Sequence, residues 1–198
     1  METAKDIATI IGTAAAIVIG FLGLKTWRIQ LRSTADTELA RRILVGLYKI
    51  KASVAFIRRP LREGITLPEG ASISDQNAWT EAVAKQYQEE WNKLADERTE
   101  LLVSCIEAQA VWDRDFLRHL TPLNVCLGEL LDNITDYFEA KRQTYRDPDY
   151  HPAKTRRILF GTGGANDEYA QELNRIILDI DEKVRVKFER ESFWHFLV

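Results

Sequence analysis

The residues that most often carry chemistry are few in this chain and match no known catalytic or metal-binding motif. There are three histidines, and the two cysteines, Cys105 and Cys126, are 21 residues apart. No Cys-x-x-Cys or His-Glu-x-x-His motif occurs, so the spacing of a metal site is absent. No paired carboxylates or Ser, His and Asp arrangement indicates catalysis. The sequence therefore predicts no catalytic residue, metal or cofactor, and favours a non-enzymatic protein.

One segment combines basic, apolar and glycine residues just before the last predicted helix. Its members are Lys154, Arg156, Arg157, Ile158, Phe160, Gly161, Gly163 and Gly164. Glycines expose backbone N–H groups, and a helix N-terminus favours anions. The Lys-Ser/Thr of a P-loop is missing, however, and Asp167 and Glu168 would repel an anion. We expect a loop that docks a partner or binds an anion, with a plain connector as the alternative.

An uncharged run extends from residue 7 to residue 24, between Asp6 and Lys25. A helix of this length spans roughly 27 Å, close to the hydrocarbon thickness of a bilayer. Signal peptides have shorter apolar regions, and buried helices of soluble proteins seldom stay uncharged for so long. The sequence therefore predicts one transmembrane helix at 7–24.

Basic residues follow the run at its C-terminal side, at Lys25, Arg28 and Arg32. By the positive-inside rule, they place residues 25–198 in the cytoplasm and residues 1–6 outside the cell. Trp27 lies where aromatic side chains meet the headgroup region. We expect a single-pass protein of the cell membrane in which these four residues face lipid headgroups and set the orientation.

Small residues recur every four positions in the run, at Gly12, Ala16 and Gly20. They share one helix face, and small residues at this spacing let two membrane helices approach closely. We expect the span to pair with a second copy or with another membrane protein. The simpler alternative is that glycine and alanine are common in membrane helices.

The charges are distributed unevenly along the chain. Residues 25–62 carry ten Lys or Arg against Asp36 and Glu38, a net charge of +8, whereas the whole chain has −3. This basic segment either pairs with acidic helices of its own domain or binds anionic headgroups through its membrane-proximal half. Nucleic-acid binding is disfavoured, because the rest of the domain would repel a polyanion.

Beyond the run, apolar residues at helical spacing predict an all-α fold. Helices are expected at about 35–59, 76–120, 122–145 and 167–196, and loops at 60–75 and 146–166. Ser33-x-x-Asp36 resembles the capping signal that would begin the first helix. Thr121-Pro122 leaves two alternatives open. A chain reversal gives an elongated antiparallel bundle of four long helices, and a kink gives three.

These features predict a membrane-anchored cytoplasmic adaptor or scaffold. It would dock a protein partner and self-associate through its span, as long amphipathic helices form rods and partner surfaces more readily than deep pockets. Two alternatives remain. One is a membrane effector that forms pores or disrupts the bilayer, as in toxin or anti-phage systems, and the other is a ligand-sensing helical bundle.

Overall fold

The computed structural model describes residues 2–59, 75–142, 151–161 and 166–195, and the side chains of residues 2–16, 29 and 188–195 lie outside its description. The described residues are helical and include no strand. The helices are α1 (Glu2–Ile57), α2 (Gln76–Val111), α3 (Thr121–Arg142), α4 (Pro152–Phe160) and α5 (Glu168–His195), with a 3₁₀ turn at Phe116–Leu120. The predicted all-α bundle is confirmed.

α1 is a single helix of 56 residues that joins the uncharged run directly to the bundle. The prediction that a separate helix begins near residue 35 is wrong. No glycine or proline lies between Leu24 and Gly46 to end the helix. Ser33 does not cap a new helix, because it lies inside α1, where its carbonyl accepts a hydrogen bond from the Thr37 hydroxyl at 2.7 Å.

Within the described residues, no helix is both long enough and apolar enough to cross a membrane. The structure therefore gives no support to the transmembrane helix predicted at 7–24. Residues 7–16, the first ten of that run, lie outside the residues whose side chains are described.

α2 and α5 both run antiparallel to α1 and cover its buried face. Arg42 and Lys49 of α1 contact Glu107 and Glu100 of α2, so residue numbers rise on one helix as they fall on the other. Lys51 and Arg58 meet Asn174 and Asp167 in the same sense. The hydrophobic core lies between these helices. The residues that α1 contributes to it, which we call the core stripe, are Leu39, Ile43, Leu47, Ile50, Val54 and Ile57.

The chain reverses between α2 and α3, which resolves the alternatives at Thr121-Pro122. The ring of Tyr87 contacts that of Phe138 at 5.2 Å, and Glu81 pairs with Arg142, so the two helices are antiparallel. The predicted helix 76–120 is too long, because α2 ends at Val111. The Asp113 carboxylate accepts a hydrogen bond from the backbone of Asp115, a local turn that competes with the helix.

The predicted loop 146–166 contains a helix. α4 begins with Pro152 at its first position, where a missing N–H costs nothing, and ends before Gly161, which has φ +64°. Ile158 and Leu159 join the core, and Lys154 pairs with Glu129 of α3 at 3.2 Å. Apolar spacing over nine residues is too short to distinguish a helix from a loop, which explains the wrong prediction.

Candidate functional site

The part of α1 that precedes the bundle has no packing partner among the described residues. Every described side chain from 17 to 32 is exposed, and we call residues 17–32 the exposed segment. Its apolar members include Ile19, which is 70% exposed, and Phe21, which is 73% exposed. Soluble proteins rarely leave so continuous an apolar surface in water, so such a surface indicates contact with a membrane or another protein.

The four residues predicted to face headgroups all lie in the exposed segment. Trp27 is 61% exposed, and Lys25 and Arg28 form no ion pair with any described residue. Arg32 approaches Asp36 only to 4.0 Å, and its side chain stays 70% exposed. These cationic groups are therefore available to a partner outside the described chain.

The basic residues further along α1 differ, because they pair with acidic residues of the bundle. The pairs are Arg42–Glu107 at 2.7 Å, Lys49–Glu100 at 3.4 Å and Arg58–Asp167 at 2.8 Å. Most of them are solvent-exposed and contribute little to stability. The two alternatives for the basic helix thus apply to different parts of it. The basic residues that pack in the bundle pair internally, whereas Lys25, Arg28 and Arg32 of the exposed segment stay accessible.

Of the predicted association face, only Gly20 is among the residues whose side chains are described. A methyl group on its Cα would meet nothing within 4 Å, and the same is true of Gly23. Gly12 and Ala16 lie outside those residues, although the backbone is helical there. The pairing face therefore stays a prediction.

Asp36 marks the point where α1 enters the bundle. It is 7% exposed, and its Oδ1 accepts a hydrogen bond from the indole Nε1 of Trp112 at 2.9 Å. The other oxygen, Oδ2, is buried with no hydrogen-bond partner among the described residues. Leaving such a group unsatisfied is costly, so the hydrogen bond from Trp112 is important for holding the end of α2 against α1.

The predicted docking segment is mostly part of the fold. Ile158 is buried, and the half-buried ring of Phe160 packs edge-on against Tyr137 at 5.6 Å. Ile158 is thus part of the core and unavailable to a partner, whereas the ring of Phe160 stays partly accessible. Arg156 and Arg157 remain exposed on α4. Gly163 and Gly164 lie outside the described residues.

Arg58, which the sequence analysis did not single out, connects three helices at the end of α1. Its side chain is 7% exposed and donates hydrogen bonds to the carbonyls of Ile158 and Arg157 and to the carboxylate of Asp167. Its guanidinium also lies 4.6 Å from the centre of the Tyr169 ring. The position follows Val54 by four residues, in phase with the core stripe. A charged residue at a core position of the apolar pattern is the sequence signal that could have identified Arg58.

The environment of Arg58 changes the acidity of its neighbours. Burial raises the pKa of Asp167, but the hydrogen bonds from Arg58 and from the backbone of Ala170, with the charge of Arg58, outweigh it and leave the pKa below 3.8. Burial also raises the pKa of the Tyr169 hydroxyl, which donates to the Cys126 carbonyl. Both groups therefore keep their ordinary charge state at neutral pH and act structurally, the carboxylate as the cap of α5.

A cavity of about 370 Å³ opens between α2 and α3. Tyr87, Trp91 and Phe138 line its apolar part, and the pair Arg142–Glu81, at 2.8 Å, lies at its rim. The volume is within the range of small-molecule sites. Apolar walls with polar groups at the rim would suit a small amphipathic ligand.

No arrangement for catalysis accompanies these features in the described part of the chain. No group of three or more His, Cys, Asp and Glu there could hold a metal ion. Cys105 and Cys126 are buried, and burial raises the pKa of the Cys105 thiol to about 12, which makes it a poor nucleophile. No protein-family model, curated protein or solved structure matches the chain. The surface of α1 is therefore the strongest candidate site.

Proposed function

We propose that the protein is a single-pass, membrane-anchored helical adaptor whose bundle lies in the cytoplasm. The exposed segment carries the proposal, because its apolar side chains are uncovered on all sides of the helix. Exposed apolar area costs about 25 cal/mol per Å² in water, and hydrocarbon would remove that cost. The uncharged sequence of residues 7–24 has the length needed to span a bilayer.

The orientation is supported by the charges that follow the run. Lys25 and Arg28 are exposed and form no ion pair with a described residue, so they are free to contact anionic headgroups. Each basic side chain near such a surface contributes about 1 kcal/mol to binding. Trp27 lies between them at the expected depth of the interface.

The adaptor role is supported by what the bundle offers on its surface. Basic side chains such as Arg156 and Arg157 are exposed on α4, at the end distant from the exposed segment. We propose that a protein with an acidic surface docks at α4. The span would bring that partner to the membrane, and Gly12, Ala16 and Gly20 would pair it with a second copy.

A matched pair of substitutions tests the anchor. Val18 and Val103 are 57% and 58% exposed, and only Val18 lies in the uncharged run. Val18→Arg should release the full chain from sedimented, carbonate-washed membranes, since an arginine near the centre of a span costs about 2.5–3.5 kcal/mol on insertion scales. Val103→Arg should leave the membrane fraction unchanged. Release of both variants, or of neither, would contradict the anchor.

The adaptor is tested by purifying the full chain in mild detergent and identifying co-purified proteins by mass spectrometry. An acidic partner should be lost from the double variant Arg156→Glu, Arg157→Glu, and kept by the variant Lys183→Glu, which also replaces an exposed basic residue. Equal retention by both variants would contradict docking at α4. Loss of membrane potential on overexpression would favour the membrane effector instead.

The cavity between α2 and α3 supports a second candidate function, a ligand-sensing bundle. Thermal unfolding of the detergent-solubilised full chain with a set of small amphipathic ligands and nucleotides would test it. A ligand that binds only the folded state at 100 times its Kd adds about 2.7 kcal/mol to the free energy of unfolding. The variant Ala84→Trp should fill the cavity and abolish the shift.

A further inference from the structure

The bundle half of α1, residues 36–57, has a second apolar face that lies outside the core and stays partly exposed, with the Arg59 guanidinium 4.8 Å from the centre of the Phe56 ring. Val45 and Tyr48 are each 43% exposed and Phe56 is 47% exposed, with Ala52 between them on the same face. We call these four residues the outer stripe. Surface helices normally bury one apolar stripe and present polar residues opposite to it. α1 is apolar on both sides, so its outer side has the composition of a contact surface.

An open groove of about 660 Å³ runs beside the outer stripe, with Val184 and Arg185 of α5 as its opposite wall. Three cationic residues line its rim, and each is already paired with a carboxylate of this chain. The pairs are Arg41–Glu38, Lys49–Glu100 and Arg185–Asp181. An occupant of the groove therefore needs an apolar surface and does not need to neutralise an unpaired charge.

The outer stripe continues the small-residue face of the uncharged run. Gly12 precedes Tyr48, and Gly20 precedes Phe56, by 36 residues, which is about ten turns of an α-helix. Because α1 is one uninterrupted helix, residues ten turns apart lie on the same side of it. The two features are thus parts of one face along the length of α1.

We infer that this face binds a second copy of the chain, with the two α1 helices parallel and related by a two-fold axis. The inference rests on the proposed function, because a shared membrane orientation is what places two α1 helices side by side in the same direction. Each outer stripe then lies in the groove of the other copy. An isologous contact requires one self-complementary surface, and this face meets that requirement.

The charges and the area of this face suit such a pair. Glu38 and Arg41 form the charged layer of the face, and in a parallel pair each meets the opposite charge of the other copy. From Gly12 to Phe56 the helix is about 67 Å long, and a strip about 10 Å wide gives on the order of 1,300 Å² for both copies. Specific interfaces bury about 1,200–2,000 Å², so the face is large enough.

Disulfide crosslinking of the full chain in its membrane tests the inference. A parallel pair brings residue 45 opposite its own counterpart, so Val45→Cys should form a disulfide-linked dimer under mild oxidation. Val103→Cys is the control, since Val103 is more exposed, at 58%, but lies on α2. We expect on the order of tenfold more dimer from Val45→Cys, because disulfides need a short and specific Cα separation. The buried native cysteines should give little background.

A second substitution separates specific pairing from collision. Tyr48→Glu, added to Ala52→Cys, places like charges opposite each other and should abolish the dimer of Ala52→Cys while leaving its thermal unfolding midpoint unchanged. Equal dimer yields from Val45→Cys and Val103→Cys would overturn the inference. Crosslinking of Gly20→Cys without Val45→Cys would also overturn it. If the variants still sediment with membranes after either of these results, the proposed anchor is retained and only the parallel pairing of α1 is contradicted.

Discussion

The two halves of α1 have the same helical backbone conformation but different surroundings. In the exposed segment, every described side chain is exposed, apolar and basic alike. In residues 36–57, the apolar side chains divide into a buried stripe, with Ile43 and Leu47 at 0% exposure, and the outer stripe. Even the glycines differ. A methyl group on Gly20 would meet nothing within 4 Å, whereas one on Gly46 would approach the side chain of Leu101 to 3.2 Å.

This difference indicates that the two halves are stabilised by different environments. Residues 36–57 pack against α2 and α5 through the core and through ion pairs and hydrogen bonds. The exposed segment makes no such contacts with the described residues, so we expect a membrane or a partner to cover its apolar surface. Substitutions in the two halves should therefore affect different measurements.

The largest effect should come from the end of α1 that is furthest from the exposed segment. Arg58→Ala would leave the Asp167 carboxylate without its cationic partner and remove a donor from the carbonyls of Ile158 and Arg157, the second of which still accepts the backbone N–H of Gly161. Breaking a buried ion pair in this way costs about 3–5 kcal/mol. Urea unfolding of the detergent-solubilised full chain should show this loss. Arg28→Ala, the control in the exposed segment, should change stability by less than about 0.5 kcal/mol. A similar loss in both would refute the comparison.

A matched leucine pair should give the next largest effect. Leu47 is 0% exposed and Leu22 is 57% exposed on the same helix. Leu47→Ala creates a cavity in the core and should lower the free energy of unfolding by about 2–5 kcal/mol. Leu22→Ala should leave urea unfolding unchanged and act only on membrane partitioning. If Leu22→Ala also destabilised the bundle, the exposed segment would have to pack against it.

The helix-forming pattern of the bundle could be predicted because it is local. The spacing of the core stripe of α1, the N-cap Asp75 and the apolar positions of α5 follow from a few neighbouring residues. Interruptions were harder to predict. The turn that ends α2 after Val111 was not predicted, and the hydrogen bond beside it joins Trp112 to Asp36, which are 76 residues apart. The continuity of α1 through Ser33 was not predicted, because a serine in a capping motif can also lie inside a helix and bond to its backbone.

The candidate site was predictable only where its chemistry is a property of one helix. The exposed basic residues after the uncharged run, such as Lys25 and Arg28, followed from sequence position alone. The role of Ile158 did not, because an apolar residue in a short segment has the same composition whether it docks a partner or fills the core. The connections of Arg58 to α4 and α5 span about a hundred residues, and only the fold brings those groups together.

Substitutions at the boundary between the two halves of α1 should lower the free energy of unfolding by a smaller amount. Trp112→Phe removes the donor to Asp36 and leaves that buried carboxylate without its hydrogen bond, which should cost about 1–3 kcal/mol in urea unfolding. Trp79→Phe, on the exposed start of α2, is the control and should change stability by less than about 0.5 kcal/mol. Asp36→Asn should recover part of the loss in the Trp112→Phe variant, because it removes the buried negative charge that has lost its hydrogen-bond donor. Additive effects of the two substitutions would contradict this interaction.

The smallest effect should be a pH dependence that is confined to the bundle. The pKa of Asp167 is lower in the folded state than its ordinary value of 3.8, so the unfolded chain binds the proton more readily. The carboxylate therefore contributes its full stability above that value and loses it as the pH falls through the folded pKa. In urea unfolding, the wild-type protein should exceed Asp167→Asn at neutral pH, and the difference should shrink below about pH 4. The uncharged run has no titratable group, so sedimentation with membranes should not change over the same range. A stability difference that persists at the acidic end would show that the Asn variant fails for a reason other than lost charge.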